Sequence, residues 1–473
     1  MTTTHRRLLL GVPAAALLAF PATAAAHGIV GRADLPIPPW LFGWTASIVL
    51  VVSFVALSTM WTKPQLQDRT RRRLFALPAP VPWLLPALGV FSFVLVVYAG
   101  LAGEQSQYNE NLAVTFVYVI FWVGVPVCSA FVGDLFAGLS PWLATARLIR
   151  WIGRRVAPAR FEHPPLRYPE RLGRWPSIFV LLGFGFLELV YVNRDQPSTL
   201  AWLGIAYFIV MVAGMLLFGV ETWTGRADGF NAYFGTVARL SALEWREGVC
   251  YYRRPLSGIT DLEMLPGTIT LVCTLIGVTT FDGASNGPVW HWAEPKLVGI
   301  FGSQLYPSTP AIEIAGCIGL LVCVLLIHAI YYIGVYGVNT VSARYDVPRL
   351  SRTFAHTLVP IGFAYALAHY FSLLVWQGQA LGYLISDPLG NGSNVLGTSH
   401  WSIDYGIISF AAIWYVQVAA LLAGHVGGLT LAHDRALAIY RNPQEAVRSQ
   451  YWMLVVMVAF TSFGLWLLSA VGT

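Results

Sequence analysis

The sequence predicts an all-α fold, a polytopic transmembrane helical bundle of about ten spans after a signal peptide, with its C-terminus outside. Three observations predict it. Charged residues make up only 11% of the 473 and hydrophobic ones 56%, with a mean hydropathy of +0.62, whereas a soluble chain is roughly a quarter charged. Apolar segments long enough to cross a hydrocarbon core of ~30 Å as helices recur along the whole chain. Lysine and arginine then separate between alternate loops, as expected of a multi-pass protein of a bacterial cytoplasmic membrane.

In chain order, residues 1–26 read as a signal peptide. Arg6 and Arg7 precede an apolar run from Leu8 to Phe20, and Ala22-Thr23-Ala24-Ala25-Ala26 supplies the small residues a signal peptidase needs. Cleavage after Ala26 exposes His27, whose free amine and imidazole can chelate copper; the alternative is a solvated histidine in an exported tail. Residues 27–473 form a single transmembrane domain, with spans near 40–61, 82–101, 112–132, 176–193, 200–220, 265–281, 312–337, 354–376, 407–431 and 451–471. An exported N-terminus makes the first span run inward. The five loops then expected inside carry 5, 8, 5, 3 and 3 lysines and arginines, 24 of the 29, starting with Lys63, Arg69, Arg71, Arg72 and Arg73. The loops expected outside carry Arg32, Arg194 and Lys296, and the signal peptide holds the other two. A missed span in mid-chain would invert every later loop and destroy this separation.

The net charge of +6 and pI near 9.1 therefore mark topology. Basic residues in short loops between apolar runs are not a phosphate-binding patch, so the expected partner is the lipid bilayer and not nucleic acid. Ser140-Pro141-Trp142 opens a basic amphipathic stretch through Ala144, Leu148, Ile149 and Trp151, with Arg147, Arg150, Arg154 and Arg155 interleaved. This reads as a helix lying on the anionic inner leaflet. The 221–263 loop, with Trp245, Tyr251, Tyr252, Arg253 and Arg254, is expected to do the same. Of the five cysteines, four fall in spans and Cys250 in an inside loop, which predicts no structural disulfide. Gly424 and Gly428 form a GxxxG pair around His425, a spacing that lets helices approach closely.

Ionisable groups at bilayer depth are costly and mark pathways or sites. His328, His356, His369 and His425 lie in spans, with Glu188 and Gln417 also at depth. At 1.5 Å per residue, His328, His356 and His425 fall toward the inner side and can converge there. His369 lies nearer the outer end, at the depth of Glu188 and close to Gln377 and Asp282, with Glu313 near the same surface. Such sets suit a divalent transition metal, a proton relay or axial ligation of haem, with His369 and His425 the metal candidates beside His27. The plainer alternative is that each histidine makes one interhelical hydrogen bond.

Most soluble-style motifs are absent: no HExxH, Walker A loop, CxxC pair or HxH pair occurs. The outside loops 282–311 and 377–404 carry Asp282, His291, Glu294, Asp387, His400 and Asp404. His291 and Glu294 stand three apart, and His400 and Asp404 four apart, so either pair can share a helix face. Asp282, His291, Asp387, His400 and Asp404 are accordingly the candidates for a metal-assisted hydrolytic site open to water. Against this stands the reading of the same residues as polar caps on spans.

Several segments together resemble a known family: Ala26-His27-Gly28 leading to Leu35-Pro36-Ile37-Pro38, Ala368-His369-Tyr370-Phe371 with Gln377-Gly378-Gln379, and Ser386-Asp387-Pro388-Leu389-Gly390. Asp404-Tyr405-Gly406, Trp414-Tyr415-Val416-Gln417, Ala423-Gly424-His425-Val426 and Ala432-His433-Asp434-Arg435-Ala436 complete the pattern. They resemble the actinobacterial integral membrane proteins catalogued as fenitrothion hydrolase, over most of the mature chain. The resemblance implies hydrolysis of an organophosphate triester and transfers no catalytic residue. Three functions therefore stand side by side: a membrane-embedded phosphotriester hydrolase, a transporter or metal- or haem-handling protein built on the intramembrane histidines with a small-molecule or metal substrate, and a non-catalytic envelope structural protein.

Overall fold

Hydrocarbon offers backbone N–H and C=O groups no water, so an apolar stretch at that depth must bond within itself as a helix. The structure, a computed structural model, describes residues 39–302, 309–341 and 344–470. The expected signal peptide, His27, Arg32 and Thr473 lie outside the described residues. Eight helices among those described are long and apolar enough to cross a membrane, and the chain is a multi-pass helical membrane protein.

In chain order the long helices are α1 (Pro39–Met60), α2 (Val81–Ala102) and α3 (Leu112–Val132). Short α4 (Leu135–Leu139) and amphipathic α5 (Pro141–Val156) follow, then α6 (Trp175–Leu189) and α7 (Pro197–Phe218). Two short helices, α8 (Val220–Arg226) and α9 (Gly229–Ala238), lead to α10 (Thr268–Ser285), α11 (Pro288–Gly302) and α12 (Thr309–Val341). The last group is α13 (Val347–Phe354), α14 (Leu358–Gln377), α15 (Phe410–Ile439), α16 (Pro443–Ser449) and α17 (Tyr451–Ala470). Two of the ten expected spans are not among the eight: α6 is 15 residues long, spanning only ~22 Å, and α17 is a 20-residue apolar helix packed on α1 and α12.

The all-α expectation needs one correction. Strands β1 (Arg72–Ala76), β2 (Leu243–Arg246) and β3 (Val249–Tyr252) form an antiparallel sheet in the order β1-β3-β2. Trp245, Tyr251 and Tyr252 thus lie on a hairpin, not on a surface helix. The alternating Leu243-Glu244-Trp245-Arg246 and the turn at Glu247-Gly248, both with positive φ, have strand and hairpin chemistry. The sheet lies outside hydrocarbon, since it ties together two loops rich in arginine. Arg71 bonds Glu244 at 2.5 Å and Asp261 at 2.9 Å. Burial works against the Glu244 carboxylate, but hydrogen bonds from Arg246 and Arg71 outweigh it and hold its pKa below the usual range.

The expected amphipathic helix does form as α5. Ser140 caps it at Leu143 N, Trp142, Leu143 and Ala146 are buried, and Leu148, Trp151, Ile152 and Val156 are exposed apolar side chains that suit an interfacial helix. The helices that carry the site approach closely. A Cβ at Gly424 would lie 2.1 Å from Ala364 Cβ, and one at Gly428 would lie 2.8 Å from Thr357 O, so the GxxxG pair is the seam of α15 on α14.

Candidate functional site

The site is built where α6, α10 and α14 meet beside α3. Glu188 stands one residue before the end of α6, Asp282 in the last turn of α10, and His369 and Tyr370 in α14. His369 Nε2 lies 2.9 Å from Asp282 Oδ2, and each side chain is at most 2% exposed. Asp282 and Glu188 act on each other electrostatically, and Tyr370 faces both carboxylates. Its hydroxyl, like Glu188 Oε2, has no hydrogen bond of good geometry. Gly283 leaves room for the pair: a Cβ there would lie 3.2 Å from the Tyr365 hydroxyl and 3.8 Å from the His369 ring.

The wall beside Glu188 is a π-helical stretch, Phe116–Gly124, within α3. Pro126 accounts for it: the ring has no N–H to give and crowds the carbonyl of Trp122, and wider winding relieves both. Trp122 and Tyr118 from this stretch interact with Glu188, and Tyr118 donates to Arg194 O at 2.8 Å. Other residues of the stretch, Phe116, Val117, Ile120 and Phe121, line an apolar cavity of about 720 Å³ between α2, α3, α6 and α7, which no charged side chain lines.

Polar groups continue from this cluster toward the arginine-rich face. Tyr365 interacts with Asp282 and Thr280, and Thr280, Tyr365 and His425 line one small cavity. His425 Nδ1 bonds Leu421 O at 2.8 Å, while its Nε2 has no partner among the described residues. His356 follows, buried, near Arg435, with Nε2 also unpartnered among the described residues.

The expected residues are distributed unevenly. Asp282 was expected in an outside loop; α10 runs on to Ser285, and the carboxylate is buried against His369. His291 is exposed on α11, with Glu294 on the same helix, and His400 is an exposed loop residue. Asp387 caps the turn at Asn391 N (3.1 Å) and Gly392 N (2.8 Å), and Asp404 accepts from Gly406 N at 2.8 Å. The outward candidates therefore form no common site. His328, His356 and His425 share no hydrogen bond. His328 pairs with Thr270 at 3.3 Å while His425 lies by Thr280, ten residues and ~15 Å along α10. Gln417 is buried on α15; the Gly424–Ala364 seam puts it near the depth of His369. Glu313 bonds Val192 N at 3.2 Å at the surface. Among the described residues, no three His, Cys, Asp or Glu side chains are grouped to hold one metal ion.

Sequence reasoning missed Tyr365, Tyr370 and Trp122, although Tyr370 adjoins His369 in the chain. It also missed Asp434 as a lock. The Asp434 carboxylate accepts from Trp61 Nε1 (3.1 Å), Gln65 N (2.5 Å), Leu66 N (3.1 Å) and Gln67 Nε2 (2.9 Å). Its neighbour His433 bonds Trp61 O at 2.9 Å. This is what a buried carboxylate looks like when its role is structural, because both of its oxygens accept hydrogen bonds. Comparison with protein-family models, curated proteins and solved structures finds no match. The reading of function therefore rests on the site itself.

Proposed function

We propose that this chain is a proton-linked membrane transporter, in which Glu188, Asp282 and His369 bind and pass the coupling proton. One observation carries the reading: an acid–imidazole pair at 2.9 Å, buried at membrane depth on separate helices, with a second carboxylate beside it. Three ionisable groups taken out of water cost several kcal/mol each unless they are paired or neutralised. A purely structural cluster would resemble Asp434, with both carboxylate oxygens hydrogen-bonded. Here two carboxylates face one Tyr370 hydroxyl, and neither Glu188 Oε2 nor that hydroxyl makes a hydrogen bond of good geometry among the described residues. Groups that must gain and lose a proton need such open positions. Tyr365, Thr280 and His425 supply the next polar positions toward the arginine-rich face, which the charge bias makes the inner one. The apolar cavity across the π-helical wall suits an uncharged, lipophilic solute.

The hydrolase reading that accompanies the family resemblance draws no support from His291, Asp387, His400 and Asp404, which cap turns or stand exposed. The test is proton flux. Purified protein in vesicles with a trapped pH dye is given a pH step; wild type is expected to dissipate the gradient, and Asp282→Asn and His369→Gln to do so at least tenfold more slowly. Folded variants that match wild type would sink the proposal.

A further inference from the structure

A second unsatisfied site lies at the opposite end of α6, away from the proton cluster. Arg174 occupies the N-cap of α6 and makes no side-chain cap. It is only 7% exposed, yet its Nε and Nη1 have no hydrogen-bond partner, and it makes no ion pair among the described residues. Its backbone is pinned, with the N–H donating to Pro266 O at 2.8 Å. Arg239 and Arg226 both stand close enough to repel it. Arg226 is held in place by Ser177 Oγ, which donates to its carbonyl at 2.7 Å, and by the Tyr168 ring 5.6 Å from its guanidinium. The nearby carboxylate acting on Arg174 is Glu263, which is solvent exposed. Asp261 is engaged by Arg69 and Arg71, and Asp134 acts on Arg239.

A buried guanidinium with open donors beside two more guanidinium groups is incomplete without an anion. The first turn of α6 adds backbone N–H groups and the positive end of a helix dipole to the same place. We infer that Arg174, Arg226 and Arg239 bind a phosphate group at the inner face, where anionic lipid headgroups are at hand. Planar guanidinium forks match phosphate oxygens, and basic pockets between helices at the inner leaflet are where such headgroups seat.

The test uses full-length protein, stripped of lipid in neutral detergent, with Tm followed at constant ionic strength. Inorganic phosphate, phosphatidylglycerol mixed micelles and phosphatidylcholine mixed micelles are compared. A rise of at least about 2 °C with phosphatidylglycerol alone assigns the site to a lipid headgroup; a rise with inorganic phosphate as well assigns it to a soluble phosphate. Either rise must be lost in Arg226→Gln, a partly exposed residue whose change leaves Arg174 and the fold in place. Arg174→Gln should raise the stability of lipid-free protein, since it removes an unpaired buried charge. No response to either ligand, or a response undiminished in Arg226→Gln and Arg239→Gln, would overturn the assignment.

Discussion

Two buried carboxylates of this chain show how the same residue type serves different ends. Asp434 is held by four donors, two of them backbone N–H groups of the segment after α1. Replacing it with Ala leaves those donors buried and open, and is expected to lower stability by roughly 3 kcal/mol or more, read as a large fall in Tm. Glu188 is the reverse case. Glu188→Gln keeps shape and hydrogen-bonding capacity but cannot ionise, so stability should hold or rise while proton flux in vesicles falls. Equal losses of flux and stability would instead make Glu188 a packing residue. Neither role is legible from the residue alone: a carboxylate in an apolar run says only that a partner is needed, and the partners come from segments far away in the chain.

At the scale of elements, the α14–α15 seam depends on glycine. With Ala364 Cβ 2.1 Å from where a Gly424 side chain would begin, Gly424→Leu must push the helices apart. The expected cost is about 1–3 kcal/mol, with Tyr365 and His425 drawn apart and proton flux reduced. Detergent stability and flux measured on the same preparation check both. The GxxxG spacing announced this seam, since close approach is written in the absence of side chains. The π-helical stretch was not announced, because its signal is one proline whose effect depends on whether the helix can widen against its neighbours. The hairpin of β2 and β3 was mistaken for a surface helix for a related reason: aromatic and basic residues suit both, and only pairing with β1 decides between them.

The whole molecule is organised by charge. Arginine-rich loops gather at one end, where the sheet, the Arg71–Glu244–Asp261 network and the Asp434 lock join segments far apart in sequence. Glu244 titrates below its ordinary value of 4.5 in the folded chain because Arg246 and Arg71 overcome its burial. Its contribution is thus complete above that value and is lost as pH falls through the lower folded one. Tm curves of wild type and Glu244→Gln should be separated at neutral pH and converge in acid; parallel curves throughout would show the network to be idle. Sidedness has its own check. Single cysteines at Arg246 and at Ser393, on opposite ends, should react with an impermeant maleimide from the inner and outer side respectively.

The sequence by itself determined that this protein lives in a bilayer and where its long helices run, because both follow from local composition and from backbone groups that hydrocarbon cannot solvate. It also showed which residues are costly at depth. Only the tertiary structure decided that Asp282 meets His369 and not the outer loops, that His328 stands apart from His425, and that Arg174 makes no ion pair among the described residues. Those outcomes depend on how helices rotate and slide against each other, which is set by the sum of many weak packing contacts that no short stretch of chain contains.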